Sequence, residues 1–306
     1  MRVLSFAISC SLAVVTTACH HAAPPIGSVT ASRQVISGAG FSQPENVVYD
    51  SVADVFLVSN MGRGDAAAHD NNGFISRVAP NGHVLSLRWI VGGEHGVNLD
   101  APKGLAIRGD TLAVADLGAV HFFDRRNGAP LGSVAVSGLV LNDVAFAPDG
   151  SFWITDTGPD RTTSPPDTTK DLDAVWRVTR DHKVSAVARG LGLERPDGLV
   201  LVGNAALVTT FGGQKIERVS DRTSGWTTLA TLPAGKLDGL RRLPDGSLLV
   251  TSWDAHTVWR LDPAHAIHPL LTDVKSPAGV AVDTRRHRLA VTSMQDNTLY
   301  LLPLSE

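Results

Sequence analysis

Cysteine is nearly absent: the chain has two, Cys10 and Cys19, in 306 residues. Cys10 falls in an apolar N-terminal run that export would discard, so one thiol remains and no internal disulfide is available. Charge of one sign is also missing. With 27 basic against 30 acidic side chains and a net charge of −3, there is no basic stripe to engage a phosphate backbone, and nucleic acid is excluded as a partner. Beyond the first twenty residues no apolar run approaches the ~20 residues that span a bilayer. No stretch sustains a helical period, and no glycine-rich loop with Lys-Ser or Lys-Thr offers a phosphate cradle. Disorder is excluded as well, because 43% of the residues are hydrophobic and a chain of this length buries a large core.

The N-terminus has its own pattern. Arg2 precedes an uncharged, mostly apolar run from Val3 to Val15, followed by Thr16-Thr17-Ala18-Cys19 and then a polar stretch containing Pro24 and Pro25. This pattern predicts a signal peptide over 1–18. A cysteine directly after a small residue resembles a bacterial lipobox, although Thr16 stands where such boxes carry Leu. Acylation at Cys19 would also account for a lone cysteine in an oxidising compartment. The expectation is an exported protein of the bacterial cell envelope or periplasm. Its membrane contact would be a lipid anchor only, with 19–32 as a flexible tether.

What the rest of the chain has is a repeat. Six segments open with Pro or a similar residue, continue with alternating apolar residues, and turn into a second β-rich stretch. They begin QPENVVYD, APKGLAI, LNDVAFAPDG, RPDGLVL, KLDGLRRLPDG and SPAGVAVD. The second stretches read VFLVSN, TLAVAD, SFWITD, ALVTT, SLLVTS and RLAVTS, and a third and usually a fourth strand follow. Four short strands in a unit of about 40 residues make a β-propeller blade. The fold expected over 33–306 is therefore all-β: a six-bladed β-propeller with four antiparallel strands per blade. The last unit lacks a fourth strand, and SRQVISGAG at 32–40 is a strand without a unit, so the N-terminal strand should close the ring and remove two exposed edges.

Two polar insertions, 61–73 and 157–173, follow the second strand of their units and should rise from one face, where loops commonly shape a ligand site. His69 and His95 also fall in loops near that face. In each unit the residue after the Pro-like position begins the strand that lines the channel. These residues are Glu45, Lys103, Asn142, Asp197, Asp238 and Ala278. The Pro-x-Gly openings themselves read as turn chemistry. Three carboxylates and an amide converging on one mouth form an oxygen-donor set suited to a hard cation such as Ca²⁺. No cysteine or histidine occupies these positions, which argues against Zn²⁺ and copper. Crowded carboxylates repel, so a cation is needed to hold them.

Glu45-Asn-Val-Val-Tyr49-Asp50, Leu-Asn142-Asp, Pro-Asp197-Gly and Leu-Asp238-Gly together resemble the senescence-marker-protein/gluconolactonase/luciferin-regenerating-enzyme family of six-bladed propellers. That resemblance implies that Glu45, Asn142, Asp197 and Asp238 bind a divalent ion, usually Ca²⁺. It further implies hydrolysis of a sugar lactone or similar ester, a small-molecule substrate, with Asp238 as the catalytic base and Asp197 as the other candidate. The chain departs from the family at two places. Asp197 stands where catalytic members generally have Asn, and Lys103 brings a cation to the same mouth. Lys103 either balances the extra carboxylate or displaces the metal. The second case would make this a non-catalytic, NHL-like module that binds a ligand or a protein.

Overall fold

The computed structural model describes residues 33–138, 140–158, 173–222 and 225–304. The expected signal peptide, Cys19 and the tether lie outside the described residues, as does most of the 157–173 insertion. Six four-stranded antiparallel sheets stand around a central axis as the blades of a propeller. Blade 1 runs outward from Pro44–Asp50 through Val55–Asn60 and Phe74–Val78 to Val84–Val91. Blades 2 to 5 repeat the plan, with innermost strands Leu105–Arg108, Leu141–Phe146, Pro196–Val202 and Leu237–Arg242. In blade 6, Pro277–Asp283, Arg288–Ser293 and Thr298–Pro303 are completed by Gln34–Ile36, which pairs Gln34 with Leu301 and Ile36 with Leu299. The closing strand is shorter than the 32–40 segment, but it closes the ring as the reciprocal deficit required. Among the described residues no helix is long and apolar enough to cross a membrane.

Alternation along each strand sends side chains to both faces of a blade, and both faces are apolar because each packs on a neighbour. In the second strand of blade 4, Ala206 and Val208 face Trp153 and Val175 of blade 3, while Leu207 faces Leu237 and Leu248 of blade 5. Blades 1 and 2 meet through Leu57, Ile75, Leu112 and Phe123. Blades 6 and 1 meet through Leu299, Leu301, Val47 and Phe56. The core is thus six seams, and each fully buried Leu, Val or Phe in them contributes about 1.5–3 kcal/mol. A buried ion pair reinforces one seam, with Arg125 Nη1 bonding both carboxylate oxygens of Asp50 at 3.1 and 2.8 Å. On one side the channel opens into a cavity of about 560 Å³ lined by the innermost strands.

Candidate metal centre at the channel mouth

Five innermost strands open with the same bulge. Pro44, Leu141, Pro196, Leu237 and Pro277 pair with the end of the second strand, and regular pairing resumes three residues later at Val47, Val144, Leu199, Leu240 and Val280. A bulge re-aims the residue it carries. Here it carries Glu45, Asn142, Asp197, Asp238 and Ala278. The following amide is caught by a hydroxyl of the second strand: Asn46 N by Ser59 at 2.9 Å, Asp143 N by Thr155 at 2.9 Å, Gly198 N by Thr209 at 2.8 Å, Gly239 N by Thr251 at 2.7 Å and Gly279 N by Thr292 at 2.8 Å. Four of these hydroxyls then donate to the next blade. Thr155 reaches Asp197 O, Thr209 reaches Asp238 O at 2.5 Å, Thr251 reaches Ala278 O at 2.8 Å and Thr292 reaches Glu45 O at 2.8 Å. The mouth is therefore stitched blade to blade through the carbonyls of the candidate residues themselves.

The glycines in the Pro-x-Gly openings are not turn residues. A Cβ at Gly198 would stand 2.5 Å from Asp238 O, one at Gly239 2.3 Å from Ala278 O, and one at Gly279 2.6 Å from Asn46 Cα. The neighbouring blade's backbone leaves no room for a side chain. Positive φ occurs two positions before the candidate residue, at Gln43 (48°), Arg195 (60°), Lys236 (49°) and Ser276 (43°). Two of the three that precede proline, Gln43 and Arg195, are bulky side chains in a costly conformation that the ring's hydrogen bonds maintain. Blade 2 differs. Ala115 occupies the threonine position, and the innermost strand starts only at Leu105. Lys103 lies before that strand rather than on it, and Gly104 N makes the link to Asn142 O at 2.7 Å.

The side chains converge. One carboxylate oxygen from each of Glu45, Asp197 and Asp238 lies within 4.8 Å of the others, and all three residues are buried. Asn142 Nδ2 donates to Asp197 Oδ2 at 2.8 Å. Lys103 is buried in the same mouth, with its ammonium 2.8 Å from Met61 Sδ. Ala278, the sixth position, offers no ligand. Burial, and then the Asp238 carboxylate, push Glu45 well above the usual carboxylate range, while Lys103 opposes the shift. Burial followed by Asp238 and Glu45 raises Asp197 in the same way. Burial takes Asp238 up to about 7, held back by the Trp253 indole beside it. Burial pulls Lys103 below the ordinary lysine range, against the attraction of Glu45, Asp116, Asp197 and Asp238.

The donors fit a hard divalent cation. Ligand oxygens at about 2.3–2.6 Å from Ca²⁺ stand no more than about 5 Å from one another, and the cluster meets that limit. Glu45 Oε2 is buried without a hydrogen-bond partner, a group that costs stability unless something positive meets it. Every ligand atom is oxygen, with neither sulfur nor imidazole among the three.

Two nearby residues were not singled out by the sequence. Asp143 follows Asn142 where four other blades have glycine; its carboxylate accepts from Leu199 N at 2.8 Å and Val144 N at 2.9 Å, and burial raises it to about 6. The Asn-Asp pair in place of x-Gly was the available signal. Trp253 reads as blade packing, yet its indole faces Asp238. His69, itself exposed in the 61–73 loop, is held by Asp100 at 2.7 Å.

Fold and site together define a six-bladed propeller with an acidic, oxygen-donor ring at one mouth. Residues 47–295 match the SMP-30/Gluconolactonase/LRE-like region, and the chain belongs to that family. Among solved structures, it resembles a gluconolactonase from Xanthomonas campestris at 19% identity, covering 89% of this chain and 90% of that one with a TM-score of 0.67. It resembles a calcium-binding protein, regucalcin, from Agrobacterium tumefaciens at 16% identity, covering 90% and 98% with a TM-score of 0.64. Virginiamycin B lyase from Staphylococcus aureus is similar at 14% identity, covering 89% and 99% with a TM-score of 0.62. Identities this low speak for the fold alone. No curated protein matches the chain.

Proposed function

We propose that the protein is a divalent-cation-dependent hydrolase of lactones or related esters, with Ca²⁺ as its ion. The observation that carries this reading is the buried carboxylate triad within 4.8 Å, with Glu45 Oε2 left unpartnered. Glu45, Asn142, Asp197 and Asp238 would hold the ion. The ion supplies stabilisation of the negative charge that develops on the substrate carbonyl oxygen. Asp238, buried beside Glu45 and Asp197, would take the proton of the attacking water; beside the ion its carboxyl would come down from the raised value that burial gives it in the metal-free chain. As water adds to the carbonyl carbon and the ring C–O bond breaks, that proton passes to the departing alkoxide, leaving a hydroxy acid. Asp197 is the second candidate for this role. Its Oδ2 is engaged by Asn142, which favours Asp238.

Initial rates on a panel of lactones and aryl esters, in calcium and in chelator, test the proposal. Turnover should require calcium and fall by about 10²–10⁴ in Asp238→Asn. Unchanged turnover in Asp238→Asn would remove that residue from the mechanism. A buried Lys103 beside the triad supports one rival, a non-catalytic propeller in which the ammonium replaces the ion. Calcium-independent stability and no turnover on any substrate would favour it. Export and acylation at Cys19 are proposed on the sequence alone, and Cys19→Ser should move the protein from the membrane fraction to the soluble one.

A further inference from the structure

Just outside the carboxylates, the residue that follows the second strand of each blade forms another ring. Met61, Thr157, Phe211, Trp253 and Met294 donate their backbone N–H groups to Gln43 O, Val140 O, Arg195 O, Lys236 O and Ser276 O at 2.8–3.2 Å. Leu117 holds the same sequence position in blade 2. These bonds tie the ring to the residues that precede the bulges. Five of its six side chains are apolar. The sixth, Thr157, spends its hydroxyl on Pro196 O at 2.9 Å.

The ring has a closed and an open side. Met61, Ala101 and Leu117 pack together, with Met294 against them. Phe211 and Trp253 meet edge to face, with ring centroids 5.0 Å apart. Met61 and Leu117 are buried, whereas Phe211, Trp253 and Met294 are only half-buried. The accessible apolar surface therefore stands on blades 4 to 6, and blades 4 and 5 supply Asp197 and Asp238. The Arg195 guanidinium lies over the Phe211 ring, 5.3 Å from its centroid, and the Trp253 indole N–H is the other polar group at this surface. A sugar hydroxyl pressed against the Met294 thioether or the remaining ring carbon finds no partner, a loss of about tenfold or more in binding for each group left unpaired. An alkyl chain there gains up to about fourfold per methylene removed from water.

We propose that the preferred substrate is a lactone or ester bearing an alkyl or aryl substituent, seated on Phe211, Trp253 and Met294 while its carbonyl faces the carboxylates. This rests on the hydrolase reading above and narrows its substrate class. The substituent itself is unchanged by the reaction: water enters at the carbonyl carbon and the ring oxygen leaves as the hydroxyl of the product.

The test uses the full chain in calcium, with γ-butyrolactone, γ-heptalactone, γ-nonalactone and glucono-δ-lactone as substrates. The kcat/KM should rise about two- to fourfold per methylene, and γ-nonalactone should exceed gluconolactone. In Phe211→Ala, and in Met294→Gln, which keeps the side-chain length, the rise should flatten by tenfold or more at the longest lactone. Alkyl γ-lactams, which resist hydrolysis, supply a readout independent of turnover, since their affinity should follow the same series. Hydrolysis without chain-length dependence, or a slope that survives both variants, overturns the apolar subsite and leaves the hydrolase reading standing. Chain-dependent lactam binding with no hydrolysis of any lactone overturns the hydrolase reading instead and leaves the subsite in place. Neither binding nor hydrolysis overturns both.

Discussion

Replacing Glu45 by Gln should change stability in opposite directions with and without calcium. Glu45 is buried, and one of its oxygens lies within 4.8 Å of oxygens of Asp197 and Asp238. Two ionised carboxylates at that separation repel by about 3.5 kcal/mol at an effective dielectric of about 20. The metal-free chain escapes part of this by holding protons on Glu45 and Asp197, both shifted upward. Gln removes the remainder, so in chelator Glu45→Gln should be more stable by about 1–2 kcal/mol, or about 2–6 °C in Tm for a domain of this size. Calcium reverses the order. At a hundredfold excess over its Kd, the ion stabilises the wild type by about 2.7 kcal/mol. A variant weakened a hundredfold gains only about 0.4 kcal/mol under the same conditions. Differential scanning calorimetry of both proteins in chelator and in calcium should therefore give crossing orders of Tm. If Glu45→Gln is destabilised equally in both buffers, the carboxylate is an ordinary structural group and the reasoning fails.

The gap in Tm between calcium and chelator should widen with pH. Glu45, Asp197 and Asp238 are raised in the folded chain, Asp238 to about 7, so the folded state binds more protons than the unfolded one above the ordinary carboxylate range. Metal-free stability then falls as pH rises from about 4 to about 7, while calcium needs the deprotonated ligands; a gap that stays constant from about pH 5 to about 7.5 contradicts this. Gly239→Ala should cost about 1–3 kcal/mol, because its Cβ would lie 2.3 Å from Ala278 O. It should also shrink the calcium-induced rise in Tm by displacing Asp238, and an unchanged urea midpoint would refute the close-approach argument. Arg125→Leu strips Asp50 of its buried partner, at 2.8 Å, and should cost about 3 kcal/mol in urea unfolding, partly recovered by adding Asp50→Asn.

Much of the architecture could be read from the chain because each blade repeats the same physical solution. Alternation in TLAVAD, SFWITD and RLAVTS gives strands apolar on both faces, and the missing fourth strand of the last unit matches the spare strand at Gln34–Ile36. The candidate residues could be placed because a repeat puts equivalent positions at equivalent radii. The reason for the glycine after Asp197 and Asp238 could not be read, since it lies in the neighbouring blade's backbone. The apolar ring was equally hidden. Met61, Leu117, Phe211, Trp253 and Met294 share no motif, and each looks like the tail of a strand until five hydrogen bonds bring their equivalents to one mouth. The repeat places Lys103 at the start of a strand, but Ala115 lacks the hydroxyl that anchors the bulge elsewhere, and the strand begins two residues later, at Leu105.

On the reading proposed above, Glu45, Asn142, Asp197 and Asp238 hold a divalent cation despite Lys103. Calorimetric titration of calcium into the metal-stripped protein at neutral pH tests it directly, with Glu45→Gln alongside. One ion per chain with micromolar or tighter affinity, lost in the variant, is the predicted result. No binding by the wild type, together with binding by Lys103→Met, would contradict it and show that the lysine ammonium is the cation this cluster holds.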